Sequence, residues 1–461
     1  MGFAVLTDFG STFTKVVCVD LDEYEIIATD KFPSTVHTDA GIALNQCYDV
    51  AKMAMGKKNF EEALKLSTSS AAGGLRMAVV GLTKTISLQA GRNASFSAGA
   101  KIVCNTSGLI TSEDIEQIEN SQTEIILLCG GHESGNTKGV IENARRLSKS
   151  SLTLPVIYAG NSHIAETVRK QFLLHGKECF LTKNILSTIG SLHLEPTTKI
   201  IRNLFMKRII NMKGVGIVQD KMNAAILPTP AAVLNAGELL CHGTAKSPGI
   251  GELMMVDVGG ATTDVYSYIN NISYEGAKCV GIFEPFSKRT VEGDMGMRES
   301  SVCLEREIGL QNLAARCEVK DTVIENAIYK RITDRGYVAD NAVEKKIDHQ
   351  IACAAVEISA RRHAGYISKE YHNGCRLIQH GKNLTGIETV IGTGGIIVND
   401  SNPDDILKKV TMTDKEKGTV LLPSYINVLV DREYVLFAAG LLKKFHEEAA
   451  LAIMKKSLGL S

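Results

Sequence analysis

The sequence predicts an α/β protein made of two similar domains, with a doubly wound α/β module inserted into the first. Three observations predict it. A strand that ends in Asp and a glycine turn, followed by two further strands, stands near the N-terminus and again from residue 253. Between the two copies, apolar runs return at intervals of roughly 25 residues, the rhythm of βα units. The chain has 461 residues, room for about two to four compact units at roughly 150 residues each.

Composition narrows the class. Lys plus Arg is 51 and Asp plus Glu is 51, so the formal net charge is zero and nothing suggests a nucleic-acid binder. Hydrophobic residues at 44% and charged residues at 22% are ordinary for a folded soluble chain and argue against extensive disorder. The 11 cysteines are scattered, with no Cys-x-x-Cys pair, which reads as reduced thiols in a cytoplasm. The short apolar run before Asp8 is no signal peptide, and no stretch of about 18 apolar residues follows, so neither secretion nor a membrane span is expected.

The first repeat runs from an apolar strand at 3–6 into Asp8-Phe9-Gly10-Ser11-Thr12-Phe13-Thr14-Lys15, with further strands expected at 16–20 and 24–32. The second runs from 253–256 into Asp257-Val258-Gly259-Gly260-Ala261-Thr262-Thr263-Asp264, with strands expected at 265–269 and 272–275. Such a repeat implies two like domains facing one another across a cleft, with one acidic hairpin from each. A nucleoside triphosphate explains these residue types. Glycines let backbone amides approach phosphate oxygens, while hydroxyls and Lys15 add donors and charge. An Asp at a strand end can hold hydrated magnesium or orient an attacking water. A turn needs no ligand, however, and either hairpin alone is also an ordinary polar turn. A third element, Glu388-Thr389-Val390-Ile391-Gly392-Thr393-Gly394-Gly395, is a buried-type strand ending in glycines that suit close approach to a base or ribose, or a tight helix entry.

The order and spacing of the three elements resemble the phosphate-1, phosphate-2 and adenosine motifs of the actin, sugar kinase and Hsp70 ATPase superfamily. The resemblance covers most of residues 1–70 and 186–461 and implies two ribonuclease-H-like domains of the actin type that close on magnesium ATP. It implies Asp8 as the acidic residue of phosphate 1, Gly10, Ser11 and Thr12 as its phosphate-contacting turn, and Lys15 as a phosphate-binding lysine. Asp257 corresponds to the acidic residue of phosphate 2, with Gly259, Gly260, Ala261 and Thr262 around the terminal phosphates. Asp8 and Asp257 would hold Mg2+ through water, and Gly392, Gly394 and Gly395 would lie against the adenosine. The helix expected from Pro228-Thr229-Pro230 resembles the superfamily's first connecting helix but lacks its water-positioning Glu or Gln, which leaves Thr229 in that place and the ATPase slow. A second connecting helix is expected at 434–446.

In the insertion, strands are expected at 76–82, 101–105, 124–129, 154–159 and 178–182, all parallel, with helices at 85–98, 112–120, 138–149 and 163–175 and N-caps at Thr111 and Ser162. The domain plan is therefore 1–70 with 186–245, the module 71–185, and 246–461. Ligands of doubly wound sheets sit beyond the strand C-termini, where this module carries Cys129-Gly130-Gly131-His132-Glu133-Ser134-Gly135-Asn136. His132 there reads as a turn residue in preference to a cobalt ligand, and the module as a docking surface for a partner protein. Residues 291–298, Val-Glu-Gly-Asp-Met-Gly-Met-Arg, read either as a loop on the cleft or as a helix entry with a solvated Arg298, and Arg361-Arg362-His363 as a solvated helix face.

Asp-Phe-Gly-Ser-Thr-Phe-Thr-Lys at 8–15, Ser-Ser-Ala-Ala-Gly-Gly-Leu-Arg-Met at 69–77 and the 291–298 loop together resemble the methylaspartate (glutamate) mutase accessory proteins, the MutL family of glutamate mutase, along essentially the whole chain. This resemblance implies an ATP-dependent reactivating chaperone whose partners are subunits of an adenosylcobalamin-dependent mutase, with ATP and Mg2+ as its cofactors. Homo-oligomerisation is left open. Three alternatives stand beside it: a small-molecule kinase of the same fold, which needs an acceptor site; a dehydratase activator with an iron–sulfur cluster, for which Cys303 and Cys317 are a poor ligand set; and an ATP-sensing scaffold without turnover.

Overall fold

The computed structural model describes residues 2–10, 13–36, 38–70, 75–133, 135, 137–186, 192–210, 219, 221–298, 300–334, 336–371 and 375–460. The chain divides into two compact units: Met1–Val233 with Gly281–Pro285, and Leu234–Val280 with Phe286–Ser461. The division falls inside the helix Thr229–His242.

Unit 1 begins with β1 (Phe3–Phe9), β2 (Phe13–Asp20) and β3 (Glu25–Pro33), an antiparallel meander. The helix Ala40–Met55 follows, capped by the Asp39 side chain on the Gly41 amide. It covers the sheet with Ala40, Leu44, Cys47 and Ala51, spaced as one helical stripe and all buried. β4 (Leu64–Ser69) then lies parallel to β1.

The insertion forms its own sheet from β5 (Arg76–Gly81), β6 (Lys101–Ser107), β7 (Ile125–Leu128), β8 (Val156–Tyr158) and β9 (Cys179–Leu181). All five strands are parallel, in the order β6-β5-β7-β8-β9, the doubly wound arrangement whose first and second strands are exchanged. Its three inner strands are apolar and buried, whereas the edge strand β6 is half-buried and ends in polar residues. Met77, Val79 and Leu127 join the core that also holds Val5, Phe9 and Leu44, while Ala78, Val80 and Leu128 face a second core with Val140, Leu147 and Phe172. The module therefore shares hydrophobic core with the meander instead of hanging from it by a linker. Thr111 caps its helix Ser112–Asn120 in a reciprocal capping box with Asp114, as the sequence predicts. The cap expected at Ser162 is instead Asn161, whose side chain accepts the His163 amide. The two-residue β10 (Leu227–Pro228) pairs with β4 and completes the first sheet.

Unit 2 repeats the plan. β11 (Leu253–Val258) and β12 (Thr263–Tyr268) form the antiparallel hairpin. The third strand expected at 272–275 is a short 3-10 turn, Tyr274–Gly276, with Ile272 exposed and Glu275 in the left-handed region. After β13 (Lys278–Val280), the meander is completed by β14 (Ser287–Glu292). Its Ser-Lys-Arg-Thr sequence looks like a solvated loop, yet Lys288, Arg289 and Thr290 are buried and partnered, so hydrophobicity gives no sign of it. β15 (Tyr366–Tyr371) and β16 (Cys375–His380) join β13 in a separate three-stranded sheet. β17 (Thr389–Thr393) and β18 (Asn427–Val430) lie parallel beside β11.

The two main sheets have one topology. Their orders are β3-β2-β1-β4-β10 and β14-β12-β11-β17-β18, antiparallel through the first three strands and parallel through the last three. This is the duplicated ribonuclease-H-like sheet of the actin-type fold that the repeated hairpins predict.

The helix Ala342–His363 packs on the second sheet. Its end is solvated only at Arg362. Arg361 makes a two-pronged contact with Glu416 at 2.7 and 2.8 Å, Arg362 pairs with Glu292 and Asp294, and His363 is fully buried between Thr290 and Ser267. The connecting helix expected at 434–446 is the shorter Leu436–Leu442, entirely buried. Among the described residues no helix is long and apolar enough to cross a membrane, and all 11 cysteines are unpaired thiols.

Candidate functional site

The hairpins superpose residue by residue through their strand registers. Asp8 stands opposite Lys15 on β2 and opposite Thr68 on β4. Asp257 stands opposite Asp264 on β12 and opposite Thr393 on β17. Each Asp is thus the last but one residue of a central strand, next to the first parallel crossover, where open α/β sheets place their ligands. The turns match as well. The Gly10 amide donates to the Phe13 carbonyl at 3.0 Å and the Gly259 amide to the Thr262 carbonyl at 2.9 Å. A Cβ on Gly10 would lie 2.6 Å from that carbonyl oxygen, and one on Gly259 would lie 3.1 Å from its counterpart, so a side chain is excluded from the first turn and crowded in the second.

In unit 1, Asp8 is 4% exposed. Its Oδ1 accepts hydrogen bonds from Thr68 Oγ1 at 2.8 Å and from Thr229 Oγ1 at 2.6 Å. Two hydroxyl donors on one oxygen fix the carboxylate's rotation. Thr229 opens the helix after β10, and its hydroxyl reaches the first acidic group. Thr68 was not singled out in the sequence, although the hydroxyl run Ser67-Thr68-Ser69 at the end of an apolar strand is the sign that marks it. Lys15 is half-buried on β2. Ser11 and Thr12 lie outside the described residues.

In unit 2 the turn is clasped by residues 295, 297, 298 and 300. The Met297 amide donates to the Gly259 carbonyl at 3.0 Å, the Arg298 amide to Gly260 at 2.7 Å, and the Ser300 hydroxyl to Ala261 at 2.7 Å. The Thr263 hydroxyl bonds the Met295 carbonyl. Three successive carbonyls are held by one loop, which fixes the peptide planes of residues 259–261. Arg298 is not solvated: its guanidinium makes a paired contact with Asp348, at 3.0 and 3.2 Å, on the long helix. Asp264, the position matching Lys15, forms a buried ion pair with Arg289, at 2.7 Å from Nε, and Thr262 lies beside it at 3.4 Å.

The three glycines of the third element have separate places. A Cβ on Gly392 would strike Leu407 and Ile397 at 2.6 and 2.7 Å, so its smallness serves the core. Gly394 has φ +97°, and a Cβ there would lie 2.4 Å from the Val258 carbonyl oxygen and 2.9 Å from Asp257 Oδ1. It therefore brings the third element against the second acidic residue, where only glycine fits. Gly395 is exposed and opens the short helix Gly395–Asn399. Asp431, fully buried after β18, accepts from Thr393 Oγ1 and from the Val435 amide, tying the end of β17 to the start of Leu436–Leu442. Burial, with Asp257 and Asp431 nearby, pushes the Tyr434 phenol up to about 12.

In the inserted module, the loop after β7 is tied down by Asn161, which donates to the His132 and Glu133 carbonyls, and by Asn184, which donates to Gly131. Ser134 and Asn136 of this motif lie outside the described residues.

Comparison with known proteins gives two kinds of match. Among solved structures, the activator of the 2-hydroxyisocaproyl-CoA dehydratase from Clostridium difficile with bound ADPNP is 10% identical with a TM-score of 0.29, over 100% of this chain and 98% of that one. The xylulose kinase from Bifidobacterium adolescentis is 11% identical with a TM-score of 0.33, over 100% and 95%. Scores of this size carry no weight beside the two sheet orders. The sequence matches are of another order. Protein MutL of Clostridium tetanomorphum is 37% identical over 456 residues, 98% of either chain. The family model described as MutL protein matches residues 4–458, and with both matches running the length of the chain, this protein belongs to the MutL family.

Proposed function

We propose that this protein is an ATP-dependent reactivating factor for an adenosylcobalamin-dependent carbon-skeleton mutase of the glutamate mutase type. The observation that carries the nucleotide part is the duplicated hairpin: the same strand-end Asp, the same glycine-to-carbonyl turn and the same register on equivalent sheets. The mutase part rests on membership of the MutL family and on what the resemblance to glutamate mutase accessory proteins implies.

In this reading each unit contributes one hairpin to bound ATP. The turns at 10–12 and 259–262 offer backbone amides and hydroxyls to the phosphates, and Lys15 offers a charge. The carboxylates of Asp8 and Asp257 are hard oxygen donors at fixed strand ends, which fits Mg2+ held through its waters. When bound, the ion neutralises charge developing on the phosphates. Asp8, held by Thr68 and Thr229, and Asp257, set against Gly394, orient the water. Turnover is slow because a threonine stands where a carboxylate or amide would polarise that water. ATP and ADP states that differ in affinity for the mutase supply the coupling by which a damaged cofactor is released.

The test is a reactivation assay. A glutamate-mutase-type enzyme inactivated by turnover is incubated with this protein, Mg-ATP and fresh adenosylcobalamin. Wild type restores activity and Asp257→Asn does not. ATP hydrolysis without recovery of any such mutase would contradict the proposal.

A further inference from the structure

The long helix Ala342–His363 carries His349 and Cys353, one turn apart and therefore on one face. Against them stands Asp405 of the helix Pro403–Leu407. His349 Nε2 lies 3.0 Å from Asp405 Oδ2, Cys353 Sγ lies 3.6 Å from the same oxygen, and the three donor atoms all fall within 4.8 Å of one another. Tetrahedral zinc with nitrogen, oxygen and sulfur ligands at about 2.0–2.3 Å sets neighbouring donors about 3.3–3.6 Å apart. The two separations to Asp405 Oδ2 are already near that size.

The surrounding groups sit where a metal site needs them. His349 Nδ1 is 3.1 Å from Asp400 Oδ1, so a carboxylate takes the second ring N–H, fixes the tautomer and turns Nε2 toward Cys353 and Asp405. Lys409 is 3.1 Å from Asp405 Oδ1, the oxygen that does not face His349 and Cys353. Cys353 is fully buried, whereas the His349 and Asp405 side chains are 17% and 39% exposed, so the cluster is reached from solvent. We propose that His349 Nε2, Cys353 Sγ and the Asp405 carboxylate bind a divalent ion of the zinc class, with Asp400 orienting the histidine and water in the fourth position. Coordination releases the thiol proton to solvent and leaves a thiolate on the metal. Mixed nitrogen, sulfur and oxygen donors select zinc over magnesium or calcium, which take oxygen alone. The ion would pin Pro403–Leu407 to the long helix, and Leu407 is one of the two residues that crowd Gly392. The rival arrangement is an imidazolium held between two carboxylates, with Cys353 an ordinary core thiol.

Cobalt(II) separates the two. The full chain, stripped with chelator, is titrated with Co(II) and then Zn(II). One equivalent of Co(II) is expected to give a thiolate-to-cobalt charge-transfer band and tetrahedral visible bands, both displaced by Zn(II). Cys353→Ser removes the charge-transfer band. His349→Ala weakens binding at least about 100-fold, and Asp400→Asn about 10- to 100-fold. A folded wild-type chain that shows no such band, or a band of equal strength in Cys353→Ser, overturns the proposal. If Cys353→Ser does not fold, the partly exposed Asp405→Asn decides, and wild-type cobalt affinity in that variant overturns it equally.

Discussion

Asp8 shows how one side chain gains a fixed orientation. Its Oδ1 receives Thr68 and Thr229 hydroxyls at 2.8 and 2.6 Å in a buried setting, and each charge-assisted bond of this kind contributes about 1.5–3 kcal/mol. Thr229→Val removes one of them without changing shape. ATP turnover is expected to fall about tenfold, near 1.4 kcal/mol, with a smaller change in KM. Steady-state phosphate release checks this, and an unchanged kcat would show that Thr229 serves only the fold. Thr229 was picked out by the resemblance of its helix, but its bond to Asp8 was not. Thr68 carries a local sign, the hydroxyl run at 67–69, but nothing in one sequence pairs that run with an Asp sixty residues earlier. Asp264 lies inside the phosphate-2 motif, yet it faces Arg289, which comes from a strand that the sequence hid behind its polar residues. A motif gives the positions of its residues more securely than their individual contacts.

At the scale of elements, most strands were legible from runs of apolar and β-branched residues, buried or not. All five module strands fall where the 25-residue rhythm puts them; the inner ones, β5, β7 and β8, are buried on both faces and hydrophobic along their length. β14 failed that test: its buried Lys288, Arg289 and Thr290 are satisfied by His363 and Asp264, which lie 75 and 25 residues away. The glycine element divides by the same logic. Gly394→Ala is expected to destabilise by at least about 2 kcal/mol, since φ +97° is unfavourable for alanine and its Cβ would meet the Val258 carbonyl at 2.4 Å. Gly395→Ala meets nothing closer than Tyr434 Oη at 4.0 Å and stays within about 0.5 kcal/mol. If adenosine lies on Gly395, the same variant weakens ATP binding while the thermal midpoint holds. Urea unfolding and nucleotide titration of the two variants separate these effects.

For the whole molecule, the central fact is duplication. Two sheets share one strand order, and each ends a central strand in Asp beside a parallel Thr, Asp8 with Thr68 and Asp257 with Thr393. The repeat was readable because Asp, Gly and the first two strands recur at equal spacing, although the third strand comes later in unit 2; the two motifs diverge at their last residue, Lys15 in one and Asp264 in the other, and the registers show that both stand opposite the Asp. Between the fourth and fifth strands the two units differ most: unit 1 holds the five-stranded module there, and unit 2 only short helices. If both hairpins serve a single nucleotide, binding must need each of them and saturate at one ATP per chain. Isothermal titration of Mg-ATP into wild type, Asp8→Asn and Asp257→Asn measures this directly. The account predicts one site in wild type and a loss of affinity of about tenfold or more in either variant. Two independent sites, or wild-type affinity in either variant, would contradict it.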